Sequence, residues 1–161
     1  MKSSIRITLL AATAGLAATV VAASAGDLPP RVQVQLSSAA SDYSRGDYRD
    51  AWFRFWTLAL DGNAVAQFNL GQLYRQGIGI PADLQLARYW YAEAAAQGHA
   101  YAQYNLGLMY ELGHGTRQDA IEARAWYRRA ANADLEVAHA ALLRLDGRTH
   151  AAPASLTQAA P

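Results

Sequence analysis

Few side chains in this chain of 161 residues could form or break covalent bonds. The chain contains no Cys, and no Ser lies between residues 45 and 154. Nucleophilic catalysis by a side chain requires an activated hydroxyl or thiolate beside a base. Within that stretch, Thr57 and Thr116 lack a recognisable His–carboxylate setting. The sequence therefore predicts neither a serine-type nor a thiolate-based enzyme.

Carboxylates and imidazoles could provide two other kinds of chemistry, acid–base catalysis and metal binding. A glycosidase needs two facing carboxylates, and scattered glutamates are available: Glu93, Glu111, Glu122 and Glu136. Exposure on helix surfaces explains each of them. Three histidines between residues 99 and 139 are too few and too scattered for a metal site: His99, His114 and His139. We expect no catalytic residue, no metal and no cofactor.

The first 25 residues have the features of a secretory signal peptide. Lys2 and Arg6 give a positive start, residues 7–22 form an uncharged and mostly apolar run, and a small-x-small cleavage site ends at Ala25. We predict cleavage between Ala25 and Gly26 and a periplasmic or secreted location. The alternative is an uncleaved membrane anchor, but the apolar run has 16 residues and a spanning helix needs about 20. We therefore expect cleavage, and no stable membrane insertion after it.

Composition narrows the fold and the partners of the exported chain. Removing the first 25 residues leaves 12 basic and 13 acidic residues, a formal charge of −1. That near-neutral balance does not favour nucleic acid or an anionic membrane surface as a partner. Alanine accounts for 36 residues, which favours closely packed helices over a β-sheet core. We therefore expect an all-α fold.

A repeat of 36 residues organises the chain. Residues 63–98 align without a gap to residues 99–134, and 16 of the 36 positions are identical. A fixed period of this length is typical of stacked arrays of short structural units. In each unit an apolar helical pattern ends at paired glycines, and a second one begins after a capping aspartate, Asp83 or Asp119. Each unit is therefore predicted to be a helical hairpin.

Degraded copies of the pattern flank the two repeats. Residues 26–62 are predicted to form a divergent N-terminal capping hairpin, and residues 135–147 a C-terminal capping helix. Residues 148–161 have the composition of a disordered tail. The predicted fold is an α-solenoid of stacked antiparallel helical hairpins with about seven helices.

Several glycines and tryptophans have packing explanations. Gly71 and Gly107 fall within helices, where glycine costs about 1 kcal/mol relative to alanine. We interpret them as points where a neighbouring helix crosses too closely for a Cβ atom. Trp90 and Trp126 are predicted to fill the seam between successive hairpins. Gly147 is expected to end the last helix.

The two units resemble Sel-1-like repeats, relatives of the tetratricopeptide repeats. In the first unit the family pattern is met by Ala66, Leu70, Gly71, Tyr74, Gly77, Gly79, Asp83, Ala87, Trp90, Tyr91, Ala94 and Ala95. In the second it is met by Ala102, Leu106, Gly107, Tyr110, Gly113, Gly115, Asp119, Ala123, Trp126, Tyr127, Ala130 and Ala131. The resemblance implies a right-handed superhelix and an adaptor or scaffold function. Some secreted relatives are cysteine-rich and linked to β-lactam binding or hydrolysis, a branch that this cysteine-free chain does not match.

By analogy with tetratricopeptide arrays, the first helix of each hairpin is expected to line a concave binding face. Helical spacing selects ten residues, which we call the predicted strip: Val65, Phe68, Gln72, Arg75, Tyr101, Tyr104, Leu108, Glu111, Val137 and Arg144. Aromatic residues with a few charges suit a protein or extended peptide as the partner. The alternative, in which Phe68 and Tyr104 belong to the core, is left open by the sequence.

Three functions are compatible with these features. A periplasmic or secreted adaptor that binds a partner protein through the predicted strip accounts for them best. A cell-wall-associated enzyme or inhibitor is the second. The third is a structural oligomerisation element, in which helix 135–146 forms a homodimer through exposed apolar residues: Val137, Leu142, Leu143 and Leu145.

Overall fold

The computed structural model describes residues 28–150, which form seven α-helices and no β-strand. The helices are α1 Pro30–Arg45, α2 Tyr48–Leu60, α3 Ala64–Gln76, α4 Leu84–Ala96, α5 Ala100–Leu112, α6 Ala120–Asn132 and α7 Glu136–His150. Each helix packs mainly against its neighbours along the chain, which is the arrangement of a solenoid. The predicted all-α solenoid is confirmed. The predicted signal peptide and residues 151–161 lie outside the described residues.

Side-chain caps determine where the second helix of each repeat begins. The carboxylate of Asp83 accepts hydrogen bonds from the backbone N–H groups of Gln85 and Leu86, at 2.9 Å each. Asp119 caps α6 in the same way. These bonds satisfy N–H groups that the first turn of a helix leaves free. Both predicted caps are therefore confirmed.

The turn between hairpins keeps one backbone conformation along the array. Gly62 and Gly98 adopt positive φ angles of 83° and 86° after α2 and α4. The equivalent residue after α6 is Asp134, with a φ of 58°. Aspartate is one of the few residues other than glycine that visit this region routinely. The 36-residue register therefore continues into α7.

As predicted, one tryptophan in each repeat packs against the hairpin before it. Trp90, on α4, is 8% exposed and belongs to the cluster that contains Phe55 and Leu70, on α2 and α3. Trp126, on α6, packs against the next cluster, which contains Phe68. The same position of both repeats thus contributes a large ring to the seam between successive hairpins.

In both repeats a tyrosine ring lies directly on a helical glycine. A Cβ atom at Gly71 would lie 2.7 Å from Cδ1 of Tyr91, and one at Gly107 would lie 2.6 Å from Cδ1 of Tyr127. Both tyrosines are fully buried. The predicted close approach is confirmed, and the group that makes it is an aromatic ring on the second helix of the same hairpin.

The last helix differs from the prediction at its C-terminal end. α7 continues to His150 instead of ending at Gly147. The glycines that end α3 and α5 adopt positive φ angles, whereas Gly147 does not. It therefore forms no left-handed turn of the kind that stops a helix, and the first three residues of the predicted tail are helical.

One side of α7 is left uncovered within the described residues. Leu143 occupies the register position of the two helical glycines and is 76% exposed. Val137 is also exposed, but Leu145 is buried and Leu142 packs partly against the neighbouring clusters. Two of the four residues predicted for a homodimer thus face inward, and self-association stays a prediction.

We expect alanine at the helical glycines to destabilise the array although alanine is the better helix former. Gly71→Ala and Gly107→Ala should each lower the free energy of unfolding by about 1–3 kcal/mol, because the added Cβ displaces a buried ring. Gly107→Ala should cost more, since its Cβ would also lie 3.2 Å from the backbone oxygen of Ala123. Urea denaturation of each variant measures these changes.

The matched control is Gly147→Ala on α7. Among the described residues, no atom from another part of the fold lies within 4 Å of a Cβ at Gly147, so this variant should gain up to about 1 kcal/mol from helix propensity alone. A stability of Gly71→Ala or Gly107→Ala equal to that of the native chain would show that the ring contact imposes no constraint.

Candidate functional site

The predicted strip lies along α3, α5 and α7 with unequal exposure. Its residues on α3 are the most covered and those on α7 the least. The next hairpin, α5 and α6, covers the strip side of α3. No further hairpin follows α7 within residues 28–150. Exposure along the strip therefore depends on how many helices come after each position.

The prediction that Val65 and Phe68 line the strip is wrong, because both side chains are buried, at 3% and 1% exposure. The ring of Phe68 stacks on His99 with centroids 4.6 Å apart, and it tilts against Tyr101 at 6.3 Å. Both neighbours belong to the next repeat. The core position of Phe68 is thus created by the stacking of hairpins.

Seven residues of the predicted strip keep contact with solvent, and we call them the open strip: Gln72, Arg75, Tyr101, Tyr104, Leu108, Val137 and Arg144. Val137 is 47% exposed, and the side chain of Arg144 is 45% exposed. The ring of Tyr104 is partly exposed and lies 5.5 Å from the ring of Tyr127. The open strip therefore presents aromatic, apolar and cationic groups on three successive first helices.

In the first repeat a hydroxyl and an amide oxygen hold the guanidinium of Arg75. The hydroxyl of Tyr91 donates to Oε1 of Gln72 at 2.8 Å, and Nε of Arg75 donates to that hydroxyl at 3.2 Å. Nη2 of Arg75 also donates to Oε1 of Gln72 at 3.1 Å. Burial raises the pKa of Tyr91 to about 12, and Arg75 opposes this shift. The phenol is therefore protonated at neutral pH.

In the second repeat a buried carboxylate takes part instead. The hydroxyl of Tyr127 donates to Oε2 of Glu111 at 2.6 Å, and Nη2 of Arg144 on α7 donates to the same oxygen at 2.6 Å. Burial and the adjacent Glu111 raise the pKa of Tyr127 far above its ordinary value. The prediction that Glu111 lines an exposed face is wrong, because it is 5% exposed and serves as the internal counter-ion of Arg144.

The two networks occupy the same positions of the repeat. Tyr91 and Tyr127 are 36 residues apart, as are Arg75 and Glu111. The tyrosine is thus constant while its polar neighbour changes sign. The predicted strip includes these two polar neighbours, but it does not include the two tyrosines whose hydroxyls bind them. Both tyrosines recur at the position that faces a helical glycine, and this recurrence in the sequence could have identified them.

A surface cleft lies apart from the open strip, between α1 and α2. Its volume is about 490 Å³, and it is lined by Arg31, Gln35, Asp50, Phe53, Arg54, Thr57, Leu58 and Asp61. None of these residues belongs to the predicted strip. Six of the eight lining residues are polar or charged and the cleft is open to solvent, whereas small-molecule sites are mostly enclosed, so the cleft does not define a binding site.

The histidines and glutamates considered for chemistry are not gathered into a site. Within residues 28–150, no group of three or more His, Asp or Glu side chains could hold a metal ion. His114 and His139 are exposed. In the same range, no helix is both long and apolar enough to cross a membrane.

His99 caps a helix. Its Nδ1 accepts a hydrogen bond from the backbone N–H of Ala102 at 3.2 Å, just as Asn63 caps α3 through Ala66. Because Nδ1 accepts, the neutral ring carries its proton on Nε2, which is buried without a hydrogen-bond partner in the described part of the chain. Burial lowers the pKa of His99 from its ordinary value of 6.5 to about 4.

Comparison with known proteins identifies the class of these repeats. The Sel1 repeat family matches residues 64–99 and 100–135. A solved Sel1 repeat protein from Oxalobacter formigenes is 34% identical, with a TM-score of 0.67 over 70% of this chain and 46% of that one. A protective antigen of uropathogenic Escherichia coli strains with the SLR fold is 30% identical, with a TM-score of 0.69 over 73% of this chain and 26% of that one.

The chain belongs to the Sel1-like repeat family and is a cysteine-free member of it. The resemblance noted in the sequence is confirmed, and each matched repeat begins one residue later than predicted. The chain spans less than half the length of either solved relative. A search of curated proteins found no match.

The two tyrosine hydroxyls should differ in their contribution to stability. Tyr127→Phe should lower the free energy of unfolding by about 2 kcal/mol, because a buried carboxylate loses a donor. Tyr91→Phe should cost about 1 kcal/mol, since its acceptor is a neutral amide. Chemical denaturation of the two variants measures the difference. An equal loss in both would contradict the assignment of Glu111 as a charged acceptor.

Burial of His99 should make stability depend on pH in the acid range. As pH falls from about 6.5 to about 4, the unfolded chain binds a proton on this imidazole before the folded chain does, so the folded state loses up to about 3 kcal/mol. Above pH 6.5 this group contributes no pH dependence. Denaturation curves recorded between pH 4 and 8 measure the slope.

His99→Asn isolates that contribution, because Asn63 forms the same cap in the first repeat. The variant should keep the cap, lose some stability at every pH with the ring that stacks on Phe68, and show a shallower acid slope. His139→Asn, at an exposed position, should keep the native slope. Identical slopes for His99→Asn and the native chain would exclude His99 as the group that titrates.

Proposed function

We propose that this protein is an exported protein-interaction module, and that its open strip binds an extended segment of a partner protein. The observation that carries the proposal is the continuity of the open strip across α3, α5 and α7. Side chains from three successive first helices are partly or fully exposed along one side of the array. A segment lying across these helices would contact all three.

The chemistry of the open strip supports a protein partner. Tyrosine and arginine are enriched among residues that dominate binding energy, and both occur here beside apolar side chains. Tyr104 and Arg75 are partly ordered by their own contacts in the free chain, which reduces the entropy lost on binding. The Sel1 repeat fold is typically a scaffold for interactions between proteins.

Export rests on the N-terminal sequence. Lys2, Arg6 and the apolar run that follows them support cleavage after Ala25. We place the module in the periplasm or outside the cell, where its partner would also be found. Sel1 repeat solenoids are generally non-catalytic, and the scattered His and Glu side chains give no support to a cell-wall enzyme.

Site-specific photocrosslinking tests this function. A benzoylphenylalanine residue placed at Val137, and in a second variant at Leu108, should crosslink the exported chain to the same partner in cell-envelope extract. Both positions lie on the open strip, and substitution at exposed Val137 should leave the fold intact. The N-terminal residue of the recovered chain should be Gly26.

The control position is Ile121 on α6, which is 77% exposed and lies outside the open strip. It should give no crosslink to that partner. Crosslinking from Ile121 but not from the open strip would place the interface elsewhere, and a recovered chain that retains Met1 would contradict export through a cleaved signal peptide.

A further inference from the structure

The two repeats differ in one respect that bears on the partner's chemistry. In the second repeat a tyrosine hydroxyl, a carboxylate and a guanidinium meet at one oxygen, Oε2 of Glu111. In the first repeat the tyrosine hydroxyl and the guanidinium of Arg75 are present, but the acceptor is the amide of Gln72. Among the described residues, no carboxylate forms an ion pair with Arg75.

The register explains why the first repeat lacks an ion pair. Arg144 lies 33 residues after Glu111, and the residue 33 positions after Arg75 is Leu108. The next first helix after that of Arg75, α5, therefore provides an apolar side chain, whereas α7 provides a charged one to Glu111. Among the described residues, the guanidinium of Arg75 donates only to neutral oxygens, and Leu108 stands at the corresponding position of the next hairpin.

The guanidinium of Arg75 also keeps donors available. Its five N–H groups include one bonded to Tyr91 and one bonded to Gln72, so three have no protein partner in the described range. The amide nitrogen of Gln72 likewise has no protein acceptor there and adds two more donors. Arg75 and Gln72 are both partly exposed, so these donors can be reached from solvent.

We propose that Arg75 and Gln72 form a subsite for a carboxylate, provided by an Asp or Glu side chain of the partner segment that lies on the open strip. This inference rests on the proposed function and specifies the partner's chemistry. The fork of an arginine binds a carboxylate through two parallel hydrogen bonds, which are stronger than those to neutral acceptors. In the second repeat a tyrosine hydroxyl, a guanidinium and the carboxylate of Glu111 meet. The partner's carboxylate would provide the missing third group in the first repeat.

The charges of the open strip agree with an acidic partner segment. Its two charged residues are Arg75 and Arg144, and both are cationic. The carboxylate next to it, Glu111, is buried and already bonded to Tyr127 and Arg144. A basic segment would meet the guanidinium of Arg75, which has no counter-ion among the described residues, and no carboxylate on the open strip, which disfavours it.

Peptide pools that differ at one position test the subsite. Octapeptides with amidated C-termini carry Glu, Gln or Lys at a central position, with random flanking residues, and are passed over the immobilised exported chain. We expect the Glu pool to be retained about tenfold more strongly than the Gln pool. A Gln pool with free C-terminal carboxylates distinguishes a terminal carboxylate from a side-chain one, and it should not be enriched.

Variants connect the preference to the subsite. In Arg75→Gln the preference for Glu should fall below about twofold, and in Arg75→Lys, which keeps the charge without the fork, it should be intermediate. The matched control is Arg128→Gln, at an exposed position on α6, which should keep the full preference. Circular dichroism and thermal unfolding verify that each variant is folded.

The possible failures are distinguishable. Retention of no pool at all would overturn the proposed peptide-binding function and this subsite with it. Equal retention of the Glu and Gln pools, or a Glu preference that survives in Arg75→Gln, would leave peptide binding standing and overturn the subsite. Enrichment of the free-carboxylate Gln pool alone would assign Arg75 to a chain terminus and contradict the side-chain assignment.

Discussion

The contact between a tyrosine ring and a helical glycine is the interaction on which the array and its surface both depend. At Gly71 and Gly107 a Cβ atom would lie inside contact distance of the ring, so the two helices of each repeat approach closely only because no side chain is present. A buried tyrosine also needs a partner for its hydroxyl. Tyr91 finds its partner in Gln72, which belongs to the open strip, and Tyr127 finds its partner in Glu111, which lies beside it. The contact between ring and glycine therefore determines where the first helix must provide an acceptor for the tyrosine hydroxyl.

This link between packing and surface limits which side chains the first helix of a repeat can have near the tyrosine hydroxyl. The tyrosine hydroxyl must meet an oxygen acceptor from the first helix, which is an amide in one repeat and a carboxylate in the other. The neighbouring cation follows from that choice. A carboxylate at Glu111 retains Arg144 from the next hairpin, whereas the amide of Gln72 leaves Arg75 without a counter-ion among the described residues. The repeats share a scaffold but differ in charge for this reason.

Local signals in the sequence were enough to predict the helices, the caps at Asp83 and Asp119 and the close approach at Gly71, because each depends on residues within one hairpin. The burial of Phe68 and Glu111 was not predictable in this way. Helical spacing shows which residues share a side of a helix, but not how far the next hairpin covers that side. Position in the array decides this: Phe68 is buried by a repeat that follows it, whereas the equivalent Tyr104 is only partly covered.

The end of the array illustrates the same rule from the opposite direction. A further second helix of the same kind would place its tyrosine ring where Leu143 now stands, and Leu143 would block it as any side chain at Gly107 would. α7 therefore lacks the open position on which the tyrosine ring lies in α3 and α5. Because no ring covers α7 within the described residues, Val137 and Arg144 stay exposed. α7 is the helix that gives the open strip its most accessible residues, and it differs from α3 and α5 by a leucine at the position where they have glycine.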